Sequence, residues 1–191
     1  MSGKFKVVLT DYVWDNLDQE NEILGQICEI TAMQTKSPDE FIGEASDCEA
    51  LLNTYAGPIT REHMERMSNC KIIARYGIGV DTIDLDAATD CGIIVTNNPT
   101  YCIEEVAEHT MALLLTSARK VSFYDRSVRS GKWEVTPGKP IYRLSGSTLG
   151  LIGFGNIARM VAERAVAFGM NILFSDPFVE NGQFQIPAKK V

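Results

Sequence analysis

The sequence predicts an α/β protein of two doubly wound parallel-sheet domains, the second present only in its N-terminal part. Three observations predict it. Short apolar runs alternate with stretches of helical spacing from Phe5 onward. That rhythm breaks at Pro99, after which a long amphipathic stretch begins. A strand, glycine turn, helix, strand and terminal acid then follow in order through TLGLIGFGNIARMVAERAVAFGMNILFSDP, Thr148 to Pro177.

Taken in order, FKVVLTD (Phe5 to Asp11) reads as a strand, and mixed polar and apolar residues carry a helix through Cys28 before EITAM returns to strand. Ser37-Pro38-Asp39-Glu40 predicts a helix through Ala45. The serine supplies a cap, the proline ring presets the first helical φ, and the glutamate stands three residues after the cap. CEALLNT reads as a third strand. Thr60 caps a short helix ending near Met67, with His63 on its solvated polar surface. KIIARY and IIVTNN (Ile93 to Asn98) complete five strands with interleaved helices, a flavodoxin-like layer sandwich over residues 1–99. From Thr100 a helix presents Ile103, Val106, Ala107, Thr110, Met111, Leu114, Ala118 and Val121 on one face. SGKWEVTPGKPIYRLSGS (Ser130 to Ser147) is an irregular connection, and residues 100–191 are expected to form an incomplete nucleotide-binding domain with a single βαβ unit.

Composition narrows the function classes. With 18 basic against 25 acidic residues the net charge is −7, which repels a phosphate backbone and argues against nucleic acid as a partner. No apolar run approaches the roughly 18 residues that span a bilayer, so no membrane partner is expected. The five cysteines are odd in number and widely spaced, which predicts free thiols in a reducing, cytoplasmic compartment. With two histidines and no CxxC pair, no metal site is expected.

The glycine turn carries the clearest chemistry. Gly153 permits the tight turn after the strand, Gly155 lets backbone approach a pyrophosphate, and Ala158 allows close helix–strand packing. The N–H groups of Phe154, Gly155, Asn156 and Ile157 are expected to face phosphates at the positive end of the helix. Asp176 closes the second strand, where a carboxylate accepts from ribose hydroxyls and repels a 2′-phosphate; Pro177 and Phe178 add no arginine to hold one. The expected cofactor is therefore NAD. A second glycine loop, RYGIGVD, leaves the amides of Ile78 and Gly79 unshielded for a carboxylate, with Asp81 and Asp84 as caps or braces of the turn.

ARYGIGVDTIDLDAATDCGIIVTNNP (Ala74 to Pro99), VAEHTMALLL (Val106 to Leu115), SGKW and RAVAFGMNILFSDP together resemble the D-2-hydroxyacid dehydrogenase family. The resemblance implies an NAD-dependent oxidoreductase for a small 2-hydroxy or 2-keto acid, with residues 1–99 as substrate domain. It implies a substrate carboxylate on Ile78 and Gly79, cofactor contacts at Ile78 and Thr110 as well as at the glycine turn, and a homodimer involving the long helix and the loop that holds Trp133 and Tyr142. The family's catalytic arginine, glutamate and histidine come from segments that match nothing here, so no catalytic residue is assigned and residues 1–191 alone are expected to be inactive. His109 stands where the family has no proton donor. Asn156 departs from a frequent arginine, and Ala158 from a third glycine.

Two alternatives accompany this expectation. The glycine loop and Asn171 to Asn181 are also similar to the C-terminal-binding-protein branch, which implies a non-catalytic, NAD-sensing corepressor-like scaffold; the lack of a nuclear-targeting basic cluster favours the enzyme. A phosphoglycerate dehydrogenase ranks lower, because Asn53-Thr54-Tyr55-Ala56-Gly57 offers no arginine to a phosphate dianion.

Overall fold

A computed structural model describes residues 3–191, and the chain divides into two compact units, Met1–Tyr101 and Cys102–Val191. The division lies two residues beyond Pro99, because the long helix starts only at Ile103.

In the first unit, β1 (Phe5–Leu9), β2 (Cys28–Ala32), β3 (Ala50–Asn53), β4 (Ile72–Arg75) and β5 (Ile94–Thr96) form one sheet in the order β2-β1-β3-β4-β5. Every pairing is parallel. This is the flavodoxin-like strand order. The apolar runs are nearly continuous because both sheet faces are covered. Val8, Leu51 and Ile73 point to the face packed by α2 (Pro38–Ala45), α3 (Arg61–Arg66) and α4 (Leu85–Asp90), where Phe41, Ile42 and Met64 are fully enclosed. Val7, Leu9 and Leu52, one residue out of phase, point to the opposite face beside Leu17 and Leu24 at the ends of α1 (Asp18–Leu24).

Three local expectations are corrected. Cys28 opens β2 instead of ending a helix, because its amide side is already in register with Phe5 of β1. Ser37 caps α2 without its hydroxyl, and Glu40 is drawn instead to the Thr35 hydroxyl. His63 is not solvated. Its side chain is 14% exposed, Nδ1 accepts the Thr60 N–H at 3.0 Å, and Nε2 lies 3.7 Å from Asp39. It fills the helix-start role that a glutamate or glutamine usually takes three residues after a threonine cap.

In the second unit, α5 (Ile103–Arg119) ends where Lys120 adopts φ 59°, and α6 (Val121–Arg129) starts afresh, so the expected single helix is two. β6 (Thr148–Ile152), β7 (Asn171–Ser175) and β8 (Ala188–Lys190) form a parallel three-stranded sheet, with α7 (Asn156–Ala167) linking the first two. β8 is an addition to the single expected βαβ unit; AKK has no apolar alternation to announce it. Ala107 of α5 and Ala162 and Ala165 of α7 are fully buried, small residues that let helix backbones approach, while Phe154 stacks on Phe174 at 4.2 Å between centroids. No helix among the described residues is long and apolar enough to cross a membrane.

Candidate functional site

The carboxyl ends of β1, β3 and β4 gather the first unit's polar groups. Thr10, Asp11, Asn53 and Thr54 are all buried there, each at 6% exposure or less. A sheet of this strand order ordinarily binds ligand in the crevice where the connections diverge, between β1 and β3. Here that crevice holds the chain's own anion: Asp11 accepts the N–H groups of Thr54 (3.3 Å), Tyr55 (3.0 Å) and Ala56 (3.2 Å), and the Thr10 hydroxyl at 2.8 Å. Three amides and a hydroxyl compensate the burial of the charge.

The ligand-accessible amides are displaced one strand along, to the loop after β4. All three carbonyls of Gly77, Ile78 and Gly79 are fastened. Asn98 N–H donates to Gly77 O at 3.0 Å, Asn97 Nδ2 to Ile78 O at 2.7 Å, and Arg75 Nε to Gly79 O at 2.9 Å. The N–H groups of Ile78 and Gly79 have no hydrogen-bond partner among the described residues. Gly79 is exposed and Ile78 half-buried. A loop with its acceptors occupied and its donors free presents partial positive charge to an anion. Asp84 caps α4, accepting the Ala87 N–H at 2.9 Å.

In the second unit Gly153 adopts φ 83°, which only glycine takes cheaply, and its N–H donates to Ser175 O at 2.8 Å. A Cβ placed on Gly153 or Gly155 would meet nothing within 4 Å, so the space before this backbone is open to a dinucleotide, and the residues fit one. The amides of Gly155, Asn156 and Ile157 have no partner among the described residues. Phe154 departs from expectation. Its N–H is taken by Asp176 Oδ2 at 2.7 Å, and its ring is fully buried in the core, so it braces the turn from behind. Asp176 also accepts the Phe178 N–H at 2.8 Å. These backbone donors, Phe154 first, hold its carboxyl below the ordinary value of 3.8. The Thr110 hydroxyl donates to Val106 O at 2.7 Å within its own helix.

Two cations at these loops escaped the sequence reading. Arg159, one turn into α7, sends Nε to Phe154 O at 3.0 Å, returning to the glycine turn a charge that Asn156 lacks. Lys36 lies over the Tyr55 ring, 5.1 Å from its centroid, beside the loop after β3. Arg159 stands one helical turn after the glycine turn, and that spacing could have flagged it; Lys36 and Tyr55 are brought together only by the fold. Among the described residues no three His, Cys, Asp or Glu side chains gather as metal ligands.

A flavodoxin-like unit with a loop of unpartnered amides, and a second parallel-sheet unit with a glycine turn and a terminal acid, make this a two-unit α/β protein. Residues 7–174 match the D-isomer specific 2-hydroxyacid dehydrogenase catalytic domain, and the chain belongs to that family. It is 38% identical over 174 residues to a D-3-phosphoglycerate dehydrogenase of Methanocaldococcus jannaschii, a match covering 91% of this chain and 32% of the relative. It is 41% identical over 171 residues to a hydroxypyruvate reductase of Thermotoga maritima, covering 87% and 55%. Among solved structures, D-lactate dehydrogenase from Aquifex aeolicus complexed with NAD and lactic acid superposes with a TM-score of 0.88 at 27% identity, covering 97% of this chain and 55% of that one. The chain thus spans between about a third and just over half of these proteins' lengths.

Proposed function

We propose that this chain is the substrate-carboxylate and pyrophosphate-binding part of an NAD-dependent oxidoreductase acting on the CH–OH group of a small D-2-hydroxy acid or its 2-keto acid. One observation carries the reading: the tied-back loop at Gly77 to Gly79, whose free Ile78 and Gly79 amides suit a carboxylate. NAD, when bound, carries the hydride. Gly155, Asn156 and Ile157 would hold its pyrophosphate and Asp176 would take the adenosine ribose, with Ile78 and Thr110 each proposed as a further cofactor contact. Lys190, the cation whose charge reaches Asp176, is engaged by Glu180 at 2.7 Å, which disfavours a 2′-phosphate. No residue described here is assigned proton transfer. Residues 1–191 are therefore proposed to bind and not to turn over.

Calorimetric titration of residues 1–191 with NADH and NADPH tests the cofactor, and NADH oxidation with glyoxylate, hydroxypyruvate and pyruvate tests turnover. NADH binding tighter than NADPH, without turnover, is expected; equal or tighter NADPH binding overturns the cofactor reading.

A second substrate reading, phosphoglycerate, gains support from Lys36 over Tyr55, a cation beside the loop after β3. Lys36→Met weakening binding of inorganic phosphate would favour it. Five free thiols support a cytoplasmic setting. Trp133 at 88% exposure and Tyr142 at 74% support a homodimer surface, which light scattering at increasing concentration tests.

A further inference from the structure

We propose that Arg75 is a positioning residue for the anion loop, tying the Gly79–Val80 peptide that closes the loop beside the Ile78 and Gly79 amides to the buried polar cluster at the ends of β1 and β3. The inference rests on the reading of those amides as the carboxylate site. Arg75 touches the proposed ligand nowhere; it acts through Gly79. Its Nε donates to the Gly79 carbonyl at 2.9 Å, and Nη1 donates to Asn53 Oδ1 at 2.8 Å. Asn53 is itself immobile. It is fully buried, and its Nδ2 donates to Ala56 O at 2.9 Å and toward the Thr10 hydroxyl at 3.4 Å. Ala56 and Thr10 are both bonded to Asp11. The chain of contacts therefore runs from a carboxylate held by three amides, through a locked amide side chain, to one guanidinium and the carbonyl that closes the loop.

The geometry explains why this position is arginine. Each peptide unit is planar, so holding the Gly79 carbonyl fixes the Val80 N–H and the ψ of Gly79, the torsion that closes a loop whose Gly77 and Ile78 carbonyls, and with them the Ile78 and Gly79 N–H groups, are held by Asn98 and Asn97. Two donors at a fixed angle are required, one for Asn53 at the end of β3 and one for Gly79 in the loop after β4, and a planar fork supplies them where a single ammonium on a flexible stem does not. Burial of the anchor matters equally, because a guanidinium held only by exposed partners would be worth little. The crevice that would ordinarily take ligand is thus spent on fixing the loop, and the ligand position moves to β4.

The test uses residues 1–191 labelled with 15N and 13C, with glyoxylate as probe. In the unsubstituted chain, glyoxylate should shift the Ile78 and Gly79 amide signals saturably. In Arg75→Met the dissociation constant should rise roughly tenfold or more, and the Gly79 carbonyl 13C signal should move upfield before any ligand is added, as expected for a lost charge-assisted hydrogen bond. Arg75→Lys, which keeps the charge and the stem, should bind with intermediate affinity. Ile42→Val, a core change away from the loop, serves as control: it should lower the melting temperature and leave glyoxylate affinity unchanged. Unchanged affinity in Arg75→Lys and Arg75→Met, or in Arg75→Lys alone where Arg75→Met does not fold, overturns the positioning role. Absence of Ile78 and Gly79 shifts in the unsubstituted chain overturns the carboxylate reading itself, and the positioning inference with it. A Gly79 carbonyl signal that still moves in Arg75→Met would then mark the Arg75 bond as structural only.

Discussion

Asp176 Oδ2 accepts the Phe154 N–H at 2.7 Å, fastening the acid that ends β7 to the glycine turn that ends β6. The acid thereby joins two strand ends before any ligand arrives, and Phe154 is turned inward onto Phe174 and Phe184. Asp176→Ala is expected to loosen the turn and weaken NADH binding about tenfold through loss of the charge-assisted bond. The NADH to NADPH preference should narrow at the same time, which paired calorimetric titrations measure.

The same contact sets a pH dependence. Backbone donation from Phe154, then Phe178, lowers the Asp176 carboxyl below 3.8 in the folded state. A depressed carboxyl contributes stability that is present above its unfolded value and lost as pH falls through the folded value. The Phe154 amide signal should therefore hold its position from neutral pH down past 3.8 and move only in stronger acid. Movement centred at or above 3.8 would contradict the donation.

Substitution at Gly79 separates folding from binding. A Cβ there would lie 2.9 Å from Asp81 Oδ2, the far end of an exposed side chain that can swing aside. Gly79→Val should cost the fold no more than about 1 kcal/mol by urea denaturation. Its branched side chain would stand beside the free amides, so glyoxylate affinity should fall tenfold or more. Ile78→Val, which leaves the backbone unchanged, should bind within about twofold of the parent chain.

Asp11 makes the opposite prediction. It is 3% exposed and serves three amides, so Asp11→Ala strands buried donors and should cost about 3 kcal/mol of stability. A lowered urea midpoint with an unchanged slope would report that loss. A change within about 0.5 kcal/mol would show that water replaces the carboxylate without penalty.

His63→Ala should cost about 1 kcal/mol through the start of α3, since the ring nitrogen serves the Thr60 N–H. His63→Gln keeps an acceptor at the same reach and should recover most of that loss in thermal melts.

Local patterns announced those parts of the molecule whose physics is local. FKVVL, ALLN and IIAR are apolar runs because each strand is covered on both faces, and that follows from composition over four or five residues. GFGNIA announced a turn and helix start because glycine conformations and unpaired first-turn amides belong to one short segment. The strand AKK and the break at Lys120 had no such signature. β8 is three residues long and held by pairing with β7, and a lysine at φ 59° departs from the helical pattern on both sides of it.

By itself, then, the sequence determined the succession of elements apart from β8 and the break at Lys120, together with the two glycine loops and the acid after β7, all set by neighbours within a few residues. Tertiary structure decided which donors those loops leave free. Whether Phe154 faces outward depends on an acid 22 residues away, and whether Gly79 is held depends on Arg75, Asn53 and Asp11 meeting across three strands. Donors and acceptors are strong at about 3 Å and negligible at twice that distance. Their pairing follows strand order and register, which bring together residues that no spacing along the chain relates.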